Sequence, residues 1–119
     1  MERYDLVCTP LREDSVMVLH LSGYLNDQTV QGFEEAFDGF RETSPFVVLD
    51  ASEAHHISSI GFGALLAATV DLRDRSGDLR IANLPPSLQR VLTLAFADFF
   101  QTFSSTRDAI ASYYAVPAN

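Results

Sequence analysis

Hydrophobic residues along this chain are spaced three or four positions apart in some segments and stand in short continuous runs in others. The first pattern is typical of helices and the second of buried strands, so each change of pattern marks the end of an element. Before Arg41 the apolar residues fall three or four positions apart, which predicts an amphipathic helix ending near that residue. A turn is predicted over residues 23–26. Asn26 suits the N-cap of the helix, and Asp27 suits its positively polarised first turn. The periodic residues are Val30, Phe33, Phe37 and Phe40.

The middle of the chain changes from a continuous apolar run to helical spacing. The run Phe46–Asp50 opens with four apolar residues, which predicts a strand buried on both faces. A polar loop is expected over Ala51–His56. After Ser58 and Ser59, apolar residues return at helical spacing as far as Leu72. The two serines are therefore expected where a loop enters a helix, beside free backbone N–H groups.

The remaining patterns complete a chain in which strands and helices alternate. A first hairpin is predicted from strands over residues 4–10 and 15–22, with a polar turn at 12–14. Short strands are expected over 79–82 and 99–103, and helices after Pro85 and Ser105. Val116–Asn119 is a tail. The order ββαβαβαβα predicts one α/β domain over residues 1–119, with a mixed sheet of four to five strands and right-handed crossovers.

The composition argues against several classes of protein. The 119 residues carry a net charge of −8, and all eight basic residues are arginine. An acidic chain without a basic cluster argues against binding to nucleic acid or to an anionic membrane. Cys8 has no partner for an internal disulfide, the first residues do not resemble a signal peptide, and no apolar run reaches the ~20 residues of a membrane helix. These features predict a cytoplasmic protein.

The serine pair has three possible interpretations. One serine caps the helix and has no further role, or a phosphoryl group on Ser59 is stabilised at the helix start. In the third, His55 or His56 activates a serine nucleophile, but there is no G-x-S-x-G motif and no carboxylate clearly placed to orient a histidine. No cluster has metal-ligand spacing, so His20 is expected to be a hydrogen-bonded strand residue. We therefore expect no metal, no cofactor and no enzymatic activity.

Gly61 and Gly63 fall inside the predicted helix after the serines. A glycine in a helix costs about 1 kcal/mol relative to alanine, so two of them at one helix start need a reason. Either the helix packs closely on the sheet, or the glycines leave a smooth surface against which a partner's backbone can lie. The sequence alone leaves both explanations open.

These segments resemble the STAS domain, the fold of bacterial anti-sigma-factor antagonists, and the resemblance covers nearly the whole chain. The turn at 23–26 resembles the family's G-x-L-D, and Phe46–Asp50 resembles its central strand. Residues 57–66 resemble the family's signature, commonly D-S-[ST/A]-G-L-G followed by apolar residues. Ser58 and Asn26 stand where the family has aspartate, which removes two carboxylates from this region. The resemblance implies helices packed mainly on one face of the sheet.

The resemblance also implies a function, which is partner switching. In the family, a kinase that is also the anti-sigma factor phosphorylates the serine after the aspartate, which on this chain is Ser59, with Ser58 as second choice. The unmodified chain is expected to bind this anti-sigma-factor serine kinase and to release it when phosphorylated. ATP and Mg²⁺ belong to the kinase, and a phosphatase reverses the modification. The expected contact residues are Asn26, Asp27, Ser58, Ser59, Ile60, Gly61, Phe62 and Gly63.

The alternative is a STAS domain that is not phosphorylated. It serves as a scaffold or as a regulatory subunit of a transport or sensory complex, and its serines only cap the helix.

Overall fold

The strands of the sheet lie in the same order in space as in the chain. The structure is a computed structural model that describes residues 5–13 and 15–114. Strand β1 is antiparallel to β2, whereas β2 to β5 all run parallel. The predicted mixed sheet of an α/β domain is confirmed. The strands are β1 Leu6–Glu13, β2 Val16–Leu25, β3 Phe46–Ile57, β4 Asp78–Ala82 and β5 Gln101–Phe103.

Three of the four helices connect consecutive parallel strands. Helix α1 is Val30–Phe40, α2 is Ser59–Asp74, α3 is Pro86–Ala95, and α4, Thr106–Ser112, follows β5. Because the crossovers all step in one direction across the sheet and are right-handed, α1, α2 and α3 lie on the same face. Helix α4 packs on the other face. Among the described residues, no helix is long and apolar enough to cross a lipid bilayer.

Both faces of the sheet are covered by apolar side chains where β3 begins. Val47 and Leu49 belong to the large core beneath α1, α2 and α3, together with Phe33 and Phe62. Val48 belongs to the smaller cluster beneath α4. Neighbouring residues of a strand point to opposite faces, so a run without polar residues is what this position requires. The prediction of a strand buried on both faces is confirmed.

The predicted loop at Ala51–His56 is wrong, because β3 continues to Ile57. Its pairing with β2 slips after His20 and again after Gly23, and at each slip β3 contains one residue more than β2. These bulges change the spacing of the buried residues from two to three. The buried residues in this half of the strand are Ala51, Ala54 and Ile57.

The first hairpin and the start of α1 also differ from prediction. The predicted turn at 12–14 begins too early, because β1 extends through Glu13. Residues 23–25 belong to β2 rather than to a turn. Gly23 has a φ of +103°, and a side chain there would meet the carbonyl of Asp5. Helix α1 begins at Val30 with Thr29 at its N-cap position, so Asn26 lies one turn before the cap rather than at it as predicted, but its side chain still accepts from the N–H groups of Gln28 and Thr29. Residues 1–4, 14 and 115–119, including the tail, lie outside the described residues.

Pro10 lies in the edge strand β1 without weakening its pairing. The N–H of Tyr24 donates to the carbonyl of Asp5 at 3.0 Å, so alternate residues from Asp5 onward bond to β2 and the others face outward. Pro10 is one of the outward residues, where its missing N–H takes nothing from the sheet. It also removes a donor from the free edge, which hinders pairing with another chain.

A polar cluster joins β2, β3 and the loop after β4 at the point where β4 ends. Asp50 in β3 is only 8% exposed. Its carboxylate is 2.8 Å from Nδ1 of His20 and accepts hydrogen bonds from Nδ2 of Asn83 and the N–H of Ser52, both at 3.1 Å. His20 is thus the hydrogen-bonded strand residue that was predicted. Burial alone would raise the pKa of Asp50, but the hydrogen bonds from Asn83, Ser52 and His20 together hold it below its ordinary value.

Asp50→Asn should destabilise the fold at neutral pH and matter less in acid. Because the pKa of Asp50 is lower in the folded state, its ionised form contributes stability above the unfolded pKa of about 4. That contribution is lost as the pH falls through the lower, folded value. We expect a loss of about 1–3 kcal/mol at pH 7. Urea denaturation across a pH series, with the exposed Asp98→Asn as control, checks this. A gap that stays constant down to pH 3 contradicts it.

Candidate functional site

Ser58 is the N-cap of α2. Its backbone is extended, with φ −78° and ψ 174°, and its hydroxyl accepts a hydrogen bond from the N–H of Gly61 at 3.2 Å. Its carbonyl accepts from the N–H of Phe62 at 2.8 Å. This is the geometry of a capped helix start, and the side chain is half-buried. The prediction of a serine cap at this helix is confirmed for Ser58, whose hydroxyl is held by the helix.

Ser59 is the first residue of α2 and differs from Ser58 in its surroundings. Its side chain is exposed. Within the described residues its hydroxyl is not the acceptor that caps the helix, because Ser58 has that role. The N-terminal turn of a helix carries a partial positive charge and N–H groups without partners in the helix. Ser59 therefore combines an accessible hydroxyl with an environment that favours negative charge.

The start of α2 lies directly against the carbonyl at the end of β2. The N–H of Ser58 donates to the carbonyl of Leu25 at 2.9 Å. A Cβ on Gly61 would lie 2.6 Å from the same carbonyl oxygen, which is closer than any side chain can approach. Close packing on the sheet is thus the reason for glycine at position 61.

Close packing on the sheet does not explain Gly63. It is exposed, its φ is not in the left-handed region, and a Cβ there would meet nothing within 4 Å. It belongs to an exposed face of α2 that we call the α2 ridge. Between Ser59 and Val70 the helix contains no charged residue, although Ile60 and Val70 are 54% and 50% exposed. The α2 ridge consists of Ser59, Ile60, Gly63, Ala67 and Val70.

Of the remaining predicted contact residues, Asn26 and Asp27 reach the surface, whereas Gly61 and Phe62 are buried beneath it. Asn26 follows Leu25 directly and is half-buried, and its Oδ1 accepts from the N–H of Gln28 at 2.9 Å, which fixes the turn before α1. Asp27 is exposed in that turn. Gly61 is buried, and Phe62 is fully buried with its ring stacked 5.0 Å from that of Phe96. Those two residues support the surface from below.

Helix α1, next to α2, exposes acidic side chains, whereas Arg41 and Arg75 pair with Asp71 after the last residue of the α2 ridge. The exposed residues of the neighbouring helix α1 include Glu34, Glu35 and Asp38. The arginine within α2 is in its last turn, where the Nε of Arg73 is 3.0 Å from Asp78. It is 14 residues from Ser59, or about 21 Å along the helix axis. A negative group on Ser59 would therefore meet backbone N–H groups but no arginine of its own helix.

An exposed aromatic cluster lies just before the serines, and the sequence did not reveal it. The ring of Tyr24 in β2 is 5.8 Å from that of His55 and 6.3 Å from that of His56. Both histidines are exposed in β3. In the part of the chain that is described, no group of three or more histidine, cysteine, aspartate or glutamate side chains could hold a metal ion.

Comparison with known proteins identifies this arrangement. The family model of the STAS domain matches residues 10–109. An anti-sigma factor antagonist from Mycobacterium paratuberculosis is 22% identical, with a TM-score of 0.83 over 92% of this chain and 95% of that one. The antagonist SpoIIAA in its unphosphorylated form is 14% identical, with a TM-score of 0.77 over 94% and 100%. The Bacillus cell fate determinant SpoIIAA in its phosphorylated form is 15% identical, with a TM-score of 0.68 over 90% and 99%. At these identities the solved structures establish the fold, and no curated protein matches.

The two glycines of α2 should respond in opposite ways to alanine. Gly61→Ala should lower the free energy of unfolding by about 1–3 kcal/mol, because its methyl group is forced against the Leu25 carbonyl. Gly63→Ala should raise it by up to about 1 kcal/mol, because the methyl group has room and alanine favours the helix. Urea denaturation of both variants measures these changes. Equal effects of the two substitutions would rule out this distinction.

The two serines should also differ in their contribution to stability. Ser58→Ala removes the cap and should lower the free energy of unfolding by about 1 kcal/mol. Ser59→Ala, at an exposed position in the first turn, should change it by less than about 0.5 kcal/mol. Thermal and urea denaturation check both values. An equal loss in the two variants would mean that Ser59 also has a structural role.

Proposed function

Because this chain belongs to the STAS domain family, we propose that it is an anti-sigma-factor antagonist that acts by phosphorylation-controlled partner switching. It binds an anti-sigma-factor serine kinase while Ser59 is unmodified and releases the kinase when Ser59 is phosphorylated. One observation carries the assignment of the acceptor. The Ser59 hydroxyl is exposed at the end of the α2 ridge, whereas the hydroxyl of Ser58 caps the helix.

The α2 ridge supplies the apolar centre of the proposed interface. A helix that is apolar on all sides is normally buried, so the exposed faces of Ile60 and Val70 favour a partner that covers them. Gly63 and Ala67 between them let a partner's backbone approach closely. The acidic residues of α1 provide a charged rim, which a partner with basic residues around an apolar cleft would complement.

Phosphorylation acts on this interface through charge. A phosphoryl group adds about two negative charges at one end of the α2 ridge. The N-terminus of α2 stabilises these charges in the free chain, so the fold tolerates the modification. In the complex the same charges must lose water against the partner, and this cost favours dissociation. The solved structures of SpoIIAA in unphosphorylated and phosphorylated forms support a switch of this kind in a protein with the same fold.

In this proposal the chain supplies a surface and an acceptor hydroxyl, and it performs no chemistry of its own. The kinase supplies ATP and Mg²⁺, and a phosphatase returns the chain to its binding state. All three proteins act in the cytoplasm.

Mass spectrometry of the chain purified from its native cells tests the acceptor. We expect phosphate on Ser59 in some growth states, with fragmentation separating it from Ser58. Phosphate on Ser58 alone would contradict the assignment.

Two aspartate substitutions then test the switch with the co-purified kinase. Ser59→Asp should weaken binding about tenfold or more, because it places a fixed negative charge in the interface. Ser58→Asp carries the same charge one residue earlier and should bind at least as tightly as the wild type, because aspartate is also a good N-cap and restores a carboxylate that the family has at this position. Isothermal titration calorimetry measures both affinities. Unchanged binding by Ser59→Asp would exclude the switch.

The scaffold alternative rests on the residues beside the acceptor. Ser58 and Asn26 replace carboxylates that the family has at these positions, so kinase recognition loses two charged contacts. A scaffold requires no phosphate on Ser59 in any growth state and full function in Ser59→Ala. The mass measurement thus separates the two functions directly.

A further inference from the structure

A continuous groove crosses the sheet near the carboxyl ends of the parallel strands. It is made of three depressions with volumes of about 700, 210 and 320 Å³. Ser52 lines both the first and the second, and Ser22 lines both the second and the third. The three depressions therefore adjoin one another, and we call them together the sheet groove.

The sheet groove has the length of a short extended peptide. Its lining residues come from β1, β2, β3, the loop after β4, the start of α3, and β5, for example Thr9, Ser22, Ser52, Asn83, Pro86 and Thr102. Neighbouring strands lie about 4.8 Å apart, so the distance from the first to the fifth strand is about 19 Å. An extended chain of about six residues spans that distance.

The walls of the groove are acidic, aromatic and hydroxyl-bearing. Asp5, Asp50 and Glu53 line the second and third depressions, and the described lining residues include no arginine. Asp50 is held by the polar cluster described above, whereas Glu53 is exposed. The aromatic residues Tyr24 and Phe103 are among the lining residues of the third and the first depression. Carboxylates with aromatic rings favour cationic side chains and repel phosphate groups.

The other occupants are a poorer match to these walls. Nucleic acid and anionic lipid would bring further negative charge to a chain that already carries −8. A second copy of this chain that paired along the free edge of β1 would find no N–H donor at Pro10. A basic, extended segment agrees with both the charge and the length of the groove.

We propose that the sheet groove binds an extended segment of about six residues, containing arginine or lysine, from a partner protein. Side chains of His20 and Asp50 in the groove belong to the face of the sheet that carries Val18 and Val48, opposite the face covered by α2. A segment bound in the middle of the groove would leave the α2 ridge free for a protein, whereas the first depression also borders α3, which lies on the same face as α2. The chain would then hold one partner while another is exchanged at Ser59.

Titration of the full chain with a synthetic hexapeptide of alternating alanine and arginine tests this proposal. ¹H–¹⁵N NMR spectra should show the largest shifts at backbone amides of the groove, such as Ser22, Glu53 and Thr102. Amides of the α2 ridge, such as Ile60 and Ala67, should not move. A hexapeptide with glutamate in place of arginine should cause no shifts.

Two matched substitutions separate the groove from general attraction to an acidic chain. Glu53→Gln should weaken binding of the arginine peptide about two- to fivefold, in line with the loss of one exposed ion pair. Glu13→Gln makes the same charge change at an exposed site of β1 outside the groove and should leave binding unchanged. Ser52→Arg blocks the junction of two depressions and should abolish binding, with circular dichroism confirming its fold.

Four results would overturn the proposal. They are an absence of shifts, shifts confined to α1, equal binding of the glutamate peptide, and equal effects of Glu53→Gln and Glu13→Gln. Ser59→Asp should bind the arginine peptide as the wild type does. Weaker binding by that variant would refute the independence of the two surfaces, whereas its failure to alter kinase binding would count only against the switch at Ser59.

Discussion

The contact between the Leu25 carbonyl and the first turn of α2 determines the geometry of the candidate site. The N–H of Ser58 donates to this carbonyl, and Gly61 lies so close to it that no side chain fits between them. Asn26 follows Leu25 directly, so one carbonyl fixes the distance between the two segments from which the predicted contact residues come. A larger residue at position 61 would push α2 outward and separate these segments. The rest of the sheet holds Leu25 in place, and the residues next to Leu25 and to Ser58 form the surface of the candidate site.

The elements that the sequence predicted well are those whose signals are local. Capping residues and three-to-four spacing depend only on near neighbours, and they located the serines at the start of α2. The second half of β3 could not be recognised in this way, because two bulges change the spacing of its buried residues to three. Ser52, Glu53, His55 and His56 are polar because they are exposed, and exposed polar residues in series resemble a loop. The pairing with β2 that makes them a strand lies 30 residues away in the chain.

The candidate site shows the same limit at single residues. Ser58 and Ser59 are identical in type, as are Gly61 and Gly63, so composition could not separate a structural residue from an accessible one. Only the folded structure separates them. The hydroxyl of Ser58 accepts from the N–H of Gly61, and Gly61 lies against the carbonyl of Leu25 in β2. The sheet groove was still less accessible to sequence reasoning, because its residues come from four strands, the start of α3 and several loops and form no local motif.

The agreement between strand order in space and in the chain also bears on how the protein folds during synthesis. Each new strand pairs with the strand just before it, so no step waits for a distant part of the chain. Contacts between segments close in sequence favour rapid folding, and a growing chain can add one strand and one helix at a time as it leaves the ribosome. Each partial sheet has β1 at one edge and the newest strand at the other, and the second edge stays open until the next strand arrives. The last edge is β5, which at three residues is too short to recruit another chain, so growth of the sheet stops there.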